Sequence, residues 1–308
     1  MIKLSQKVTI GLCVKNGANV LKTAFNSIST QDYPHESIKL VIVDNGSSDN
    51  TLSIATKFSK ETDIKTFITS SKGKGLSETR QIAVNNAEGE YILWTDDDHV
   101  LPTDFVRKQV EFMDHNSNVG AAAGFNIRIA PQAKISLLTG YIGARILPVP
   151  NPDTLFTCGS IFRIKALRSV GGFDIRIKGA LEDVDVSHRI KESGWALAYN
   201  YLAHHYHRHN QLTLSSLLKK MSWYGYGNHF YYHKYRSRWS IMPYFPPLTL
   251  YGGLKMAHRS YYISKNKKVF AFPIIHSLGM IAHNIGFIRA HLDGYGHKSI
   301  DIDNDPSK

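Results

Sequence analysis

Three adjacent carboxylates, Asp96-Asp97-Asp98, close an apolar run, Tyr91-Ile92-Leu93-Trp94. Like charges packed this tightly repel one another, and a cation at a strand end relieves the repulsion. In extended backbone alternate residues share a face, so Asp96 and Asp98 reach one divalent ion or its ligands while Asp97 turns aside. Oxygen donors of this kind suit Mg2+ or Mn2+, ions that commonly carry phosphates. The plainer reading of the tripeptide alone is a solvated acidic turn or helix cap ahead of Pro102.

Other residues with chemical potential recur along the chain. Asp44 ends the apolar stretch Lys39 to Val43 and precedes the turn Asn45-Gly46-Ser47-Ser48, where a carboxylate can accept hydrogen bonds from a base or ribose. Asp49 and Asn50 read as a turn and a helix cap. Lys72-Gly73-Lys74-Gly75 lacks a phosphate-cradle fingerprint and reads as a basic loop, whereas the fork of Arg80 suits a pyrophosphate or base. Glu182-Asp183 opens a helix. Either carboxylate could cap it, or serve as a general base toward an acceptor hydroxyl. His205, His207 and His209 alternate in an extended segment, and one neutral imidazole among them could complete a divalent-metal shell.

Positioning these groups falls to alternating elements. Strands are expected at Val8 to Val14, Lys39 to Asp44, Ile64 to Thr69 and Glu90 to Thr95. Helices are expected around Leu21 to Ile28, Thr51 to Phe58 and Leu76 to Asn86. Continuously apolar strands between helices imply a mostly parallel sheet covered on both faces, and ligands in such sheets bind beyond the carboxyl ends of the strands. Asp44 and Asp96 fall at such ends. Further on, Gly120 to Phe125 and Leu155 to Phe162 read as strands, with a proline-rich loop at Leu147 to Thr154 between them. A helix follows Glu182 and stops at Gly194, and Leu212 to Tyr235 reads as helical. The polar tail after Gly296 is expected to fray.

A chain of 308 residues, 43% hydrophobic, can bury a sizeable core, and the formal charge of +12 suggests an anionic partner. Cys13 and Cys158 lie in apolar stretches without disulfide or metal spacing. The first residues carry no signal-peptide pattern. The longest apolar stretch, Val269 to Ala282, is interrupted by Pro273 and His276, so no spanning helix is expected. Charge and aromatics admit a nucleic-acid-binding module, but clustered carboxylates would repel its phosphates. A sugar-phosphate nucleotidyltransferase would need a glycine-rich phosphate loop near the first strand, which Lys15-Asn16-Gly17-Ala18 supplies poorly.

In combination these residues resemble the inverting family 2 of nucleotide-sugar-dependent glycosyltransferases, from about Val8 to Gly227. The likeness rests on Val8-Thr9-Ile10 through Asn16, on Gln31-Asp32-Tyr33-Pro34, and on Val43-Asp44 with Gly46 to Thr51. Arg80, Asp96-Asp97-Asp98 with Pro102, Gly159-Ser160, Gly171-Gly172-Phe173-Asp174, and Glu182-Asp183 with Arg189 and Gly194-Trp195 extend it. It implies an α/β fold: a Rossmann-like, mostly parallel central sheet flanked by helices, of the A-type glycosyltransferase class. Residues 1–210 would form the catalytic domain and 211–308 a helical, membrane-proximal extension.

The roles implied are Asn16, Asp44, Arg80 and Asp96 at the nucleotide, and Gly159 and Ser160 at the donor and acceptor. Asp98, Asp96 and His207 would hold Mn2+ or Mg2+, with Asp183 as the base and Glu182 beside it. Lys15-Asn16-Gly17 departs from the family's usual Tyr-Asn-Glu turn, and the Gln-x-x-Arg-Trp motif of processive synthases is missing, which favours single-sugar transfer. The implied donor is a nucleotide-diphosphate sugar, by default a UDP-sugar, and the acceptor a glycan or lipid-linked hydroxyl. Aromatics and cations intermix from Trp223 to Trp239, as at a membrane interface. The expectation is a cytoplasmic enzyme, peripheral on an anionic membrane surface.

Overall fold

The computed structural model describes residues 6–129, 152–208, 213–236 and 246–296. His209, Arg238, Trp239, most of the proline-rich loop and the tail after Gly296 lie outside them. Two compact units emerge. One comprises residues 1–129, 148–175 and 182–208, and the other residues 130–147, 176–181 and 209–308.

The first unit is built on strands β1 (Val8–Val14), β2 (Ile38–Asp44), β3 (Lys65–Ser70), β4 (Tyr91–Thr95), β5 (His99–Val100), β6 (Val119–Ile129), β7 (Ser160–Arg163) and β8 (Ala196–Arg208). They form one eight-stranded sheet in the order β3-β2-β1-β4-β7-β6-β8-β5. The half containing β3, β2, β1 and β4 is parallel. β7 runs antiparallel to both β4 and β6, β6 and β8 are parallel, and β5 is antiparallel to β8. Helices α1 (Leu21–Ser29), α2 (Thr51–Glu61), α3 (Leu76–Asn85), α4 (Phe105–His115), α5 (Ile164–Ser169) and α6 (Glu182–Glu192) connect and cover them.

The continuous apolar runs follow from burial on both faces. On β2, Ile38, Leu40 and Ile42 enter one core cluster while Val41 and Val43 enter the other. On β4, Tyr91 and Leu93 likewise oppose Ile92 and Trp94. Each strand therefore alternates sides yet stays apolar throughout. At the crossing of β1 and β4 the absence of a side chain at Gly11 is required, because a Cβ there would lie 2.8 Å from the Trp94 ring.

Several boundaries differ from expectation. Leu155 to Gly159 is loop, and β7 starts only at Ser160, because that loop feeds its backbone into the sheet end: Gly159 N–H donates to Trp94 O at 2.9 Å. Helix α4 was not evident in the sequence, although Phe105, Val106, Val110 and Met113 form its buried stripe.

The second unit contains α7 (Leu214–Tyr235), α8 (Pro246–Ser264) and α9 (Phe272–Leu292). A capping box starts α7: Ser216 N–H donates to Thr213 Oγ1 at 3.1 Å, and Thr213 N–H to Ser216 Oγ at 3.0 Å. Pro273 does not interrupt α9, because it occupies the first turn, where its missing N–H would have had no helical partner. The expected interruption at Pro273 is thereby corrected. Residues 267–292 form one helix long and apolar enough to cross a membrane by length and composition. Gly279, His283, Gly286 and Ala290 line the buried face of α9, while Ile274, Leu278, Ile281, Ile285, Ile288 and Leu292 are exposed.

Candidate active site

Because β1, β2 and β4 are parallel, their carboxyl ends share one rim, and the loop entering β7 returns to it. Asn16 and Asp44 organise the first part of that rim. Asn16 Oδ1 accepts from Ser48 N–H at 2.8 Å, and its own N–H donates to Ser47 Oγ at 2.9 Å, tying the loop after β1 to the loop after β2. Asn16 adopts φ 54°, a left-handed conformation that asparagine tolerates better than most residues. The Asp44 carboxylate, nearly buried, accepts from the N–H groups of Gly46 and Ser47, each at 3.1 Å. It thus shapes the turn at the tip of β2.

The acidic tripeptide is a turn, with His99 N–H donating to Asp96 O at 3.2 Å, and extended alternation does not govern it. Its three carboxyls meet different neighbours. Asp97 packs against Gly17. Burial and the charges of Asp98 and Asp96 push its carboxyl up to about 6. Asp96 shares its surroundings with Arg80 and Cys158. Asp98 lies between two imidazoles, with His207 Nε2 3.0 Å from Oδ2 and His99 Nδ1 2.8 Å from Oδ1. Burial disfavours the charge on Asp98, but hydrogen bonds from His207 and His99 outweigh it and hold the carboxyl well below the usual carboxylate range. The two rings stack with centroids 4.2 Å apart, placed there by pairing of His99 with His207 across β5 and β8.

Asp98, His99 and His207 each offer a ligand atom within 4.8 Å of the others. One carboxylate with two imidazoles fits a borderline-hard ion such as Mn2+. Sequence reasoning missed His99, whose one signal was adjacency to the acidic triplet. Asp96 is not part of this cluster.

His205 is buried beside the cluster, and neither ring nitrogen has a hydrogen-bond partner among the described residues. Burial, reinforced by His99, pushes it down to about 3, so the ring is neutral. Gly159 makes room for it: at φ 73°, a Cβ there would lie 2.0 Å from His205 Cε1. Gly159 O also accepts from Gln109 Nε2 at 2.9 Å. Ser160 is fully buried and its hydroxyl donates to the Phe156 carbonyl. This pair therefore braces the rim from within.

At the N-terminus of α6 the two acidic residues separate in environment. Glu182 is buried and ion-paired with Arg80, which projects from the buried face of α3 with its guanidinium 5.9 Å from the Phe173 ring centroid. The fork directed by sequence toward pyrophosphate or base is thus engaged with Glu182. Burial pushes Glu182 up to about 7 against the pull of Arg80, and Glu182 Oε2 has no hydrogen-bond partner among the described residues. Asp183 is more open. It accepts from Val184 N–H at 2.9 Å and from the Thr157 backbone, and burial raises its carboxyl above the ordinary range while Arg80 opposes that rise. Leu181, just before the pair, has φ 78°, a conformation costing roughly 1–2 kcal/mol for a non-glycine residue. Arg80 feels Glu182, Asp96 and Asp183, and Cys158 feels both Asp96 and Asp98. The acidic turn and the α6 carboxylates thus occupy one continuous charged neighbourhood.

Residues 9–171, just over half the chain, match the family model for glycosyl transferase family 2. The chain belongs to that family. That membership favours the glycosyltransferase reading over the nucleotidyltransferase and nucleic-acid readings.

Among its family relatives, the poly(ribitol-phosphate) beta-N-acetylglucosaminyltransferase TarS of Staphylococcus aureus (strain Mu50) is 30% identical over 121 residues, covering 38% of this chain and 21% of TarS. The poly-beta-1,6-N-acetyl-D-glucosamine synthase of Staphylococcus epidermidis is 25% identical over 197 residues, covering 61% of this chain and 46% of the synthase. The chain thus spans less than half the length of either relative. In structure, a mannosyltransferase from Pyrobaculum calidifontis, solved with GDP-Man and Mn2+, aligns with TM-score 0.66 and 16% identity over 92% of this chain and 87% of its own. S. aureus TarS 1–349 in complex with UDP aligns with TM-score 0.55 and 14% identity over 94% and 92% of the two chains. These likenesses establish the fold: a mixed α/β glycosyltransferase sheet flanked by helices.

Proposed function

We propose that this glycosyltransferase moves a single sugar from a nucleotide-diphosphate sugar, by default a UDP-sugar, to a hydroxyl of a glycan or lipid-linked acceptor, inverting the anomeric centre. The observation carrying this reading is the pairing of a half-buried, proton-attracting carboxylate, Asp183, with a buried Glu182–Arg80 ion pair at the mouth of the parallel strands. Asp183 is the base that takes the acceptor hydroxyl proton as the alcohol attacks the anomeric carbon. Glu182 and Arg80 position it. Asp44 and Asn16 shape the loops against which the nucleotide lies, and Asp96 faces the donor beside Arg80.

Asp98, His207 and His99 are the residues that would hold Mn2+ or Mg2+. Bound there, the cation neutralises charge on the departing nucleoside diphosphate. The complex of the P. calidifontis mannosyltransferase with GDP-Man and Mn2+ and those of TarS with UDP and UDP-GlcNAc support a nucleotide-sugar donor.

The test is a panel of UDP- and GDP-sugars scored for hydrolysis and for thermal stabilisation, with Asp183→Asn alongside. Loss of turnover with retained donor binding is expected of D183N. Unchanged turnover would remove Asp183 from its role.

We also propose that the enzyme works on an anionic lipid surface, on which α9 lies. Its exposed residues Ile274, Leu278, Ile281, Ile285, Ile288 and Leu292 recur at three- and four-residue spacing, giving a continuous apolar stripe. Lys265, Lys267 and Lys268 precede it in a chain of formal charge +12, and such cations favour anionic headgroups.

A further inference from the structure

The helical unit carries a histidine cluster separate from the Asp98 group. His229 and His233 lie one turn apart on α7, so they share a face. His291 comes from the last turn of α9. Each of the three offers a ring nitrogen within 4.8 Å of the others. His229 Nε2 and His291 Nδ1 are 3.3 Å apart, and the His229 and His233 ring centroids are 4.4 Å apart. A tetrahedral ion with metal–nitrogen bonds of about 2.0–2.1 Å separates two of its nitrogen ligands by about 3.3 Å, so one edge of the cluster already has the ligand spacing of a filled site.

The surrounding packing fixes this arrangement. Glycines let the two helices approach closely: a Cβ on Gly225 would lie 1.8 Å from His283 O, and one on Gly286 would lie 1.9 Å from Ser222 O. Phe287 meets the His229 ring edge-on at 4.8 Å. Tyr226 OH donates to Asp293 at 3.2 Å just beyond the end of α9. His229 is buried, His233 half-buried and His291 exposed, which gives an ion an entry path and leaves a coordination position open to water.

We propose that His229, His233 and His291 form a binding site for Zn2+ or a similar late transition ion, clamping the C-terminal ends of α7 and α9 together. Three imidazoles without a carboxylate select Zn2+, Co2+, Ni2+ or Cu2+ over Mg2+, Ca2+ and Mn2+. The site is therefore chemically distinct from the Asp98 cluster. Its role is structural, a cross-link between two helices of this unit.

The test uses the untagged full chain, stripped with chelator and then dialysed against Zn2+ or Co2+. Bound metal is counted by atomic emission and the Co2+ spectrum recorded for the wild type, His291→Ala and His233→Gln. Any ion held near Asp98 is common to all three and cancels. The expected result is one equivalent of Zn2+ fewer in each variant. The tetrahedral Co2+ absorption and the Zn2+-induced rise in thermal midpoint should disappear with it, while Mn2+-supported turnover stays unchanged. H291A alters an exposed side chain, and H233Q provides a second, conservative test should H291A fold poorly. Equal metal content in the wild type and both variants would overturn the proposal. So would a Co2+ spectrum dominated by thiolate charge transfer, which would put the ion at Cys158 with His99 and His205.

Discussion

Replacing Arg80 by methionine keeps much of its volume and removes its charge, leaving Glu182 buried without its partner. Removing one member of a buried ion pair costs about 3–5 kcal/mol. That cost should depend on pH in a direction set by Glu182. In the wild-type fold its carboxyl sits at about 7, against an ordinary 4.5, and Arg80 is a group that lowers it, so R80M raises it further. Between the ordinary value and the raised one, the folded chain holds the proton and the unfolded chain does not, so this group makes stability fall as pH rises through that window. At pH 8 the wild type has released that proton to a carboxylate held by Arg80, whereas the variant must hold the proton or bury a bare carboxylate. At pH 6 Glu182 is largely protonated and Arg80 matters less. The cost of R80M should therefore be larger at pH 8 by up to ~1.4 kcal/mol, the linkage over the one pH unit above 7 in which the wild type has released the proton and the variant still holds it. Urea unfolding followed by tryptophan fluorescence at both pH values measures this, since Trp94 lies in the same core, edge-on to Phe173 at 5.4 Å. Adding Glu182→Gln to R80M should recover a coupling of roughly 0.5–3 kcal/mol at pH 8. An R80M penalty identical at pH 6 and pH 8, with no relief from E182Q, would refute the reasoning.

Gly159→Ala should destabilise the sheet unit by at least ~2 kcal/mol more than Gly171→Ala in urea unfolding, because both glycines have positive φ but only the Gly159 Cβ would strike the His205 ring. Asp183 must be ionised to act as base, and burial raises its carboxyl. The acid limb of kcat/KM should therefore lie above the ordinary carboxylate range, turnover falling as pH drops through it, and D183N should lower kcat by roughly 10²–10⁴-fold. Ile281→Glu with Ile285→Glu should abolish co-sedimentation with anionic vesicles at moderate salt. Wild-type protein that ignores those vesicles, or that buries the stripe in a dimer by light scattering, would contradict the lipid reading.

The parallel half of the fold was legible because buried strands write their two-sided burial directly into sequence: β1, β2 and β4 fall within a residue of expectation. The loop at Leu155 to Gly159 misled because Leu155 is buried there without strand pairing while Phe156 is exposed. α9 misled because Pro273 marks the start of a helix as readily as a break. At the site, residue type and spacing singled out Asp98 and three alternating histidines, and the family resemblance chose His207 among them. The departures came from partners distant in sequence. Arg80 reaches Glu182 across 102 positions, Asp96 lies in the electrostatic surroundings of Arg80, and His99 gains its place from the short β5–β8 pairing with His207. None of these contacts leaves a local periodicity to read.

A carboxylate and two imidazoles, Asp98, His99 and His207, would grip the ion proposed to steady the departing diphosphate. Donor turnover titrated with Mn2+ after chelator treatment, in the wild type, Asp98→Asn and His207→Ala, tests it most directly. Wild-type activity should vanish in chelator and return with Mn2+, D98N should stay inactive at saturating Mn2+, and H207A should need more of the ion for half-maximal rate. Full wild-type turnover in chelator, or a D98N variant with an unchanged Mn2+ titration, would contradict it.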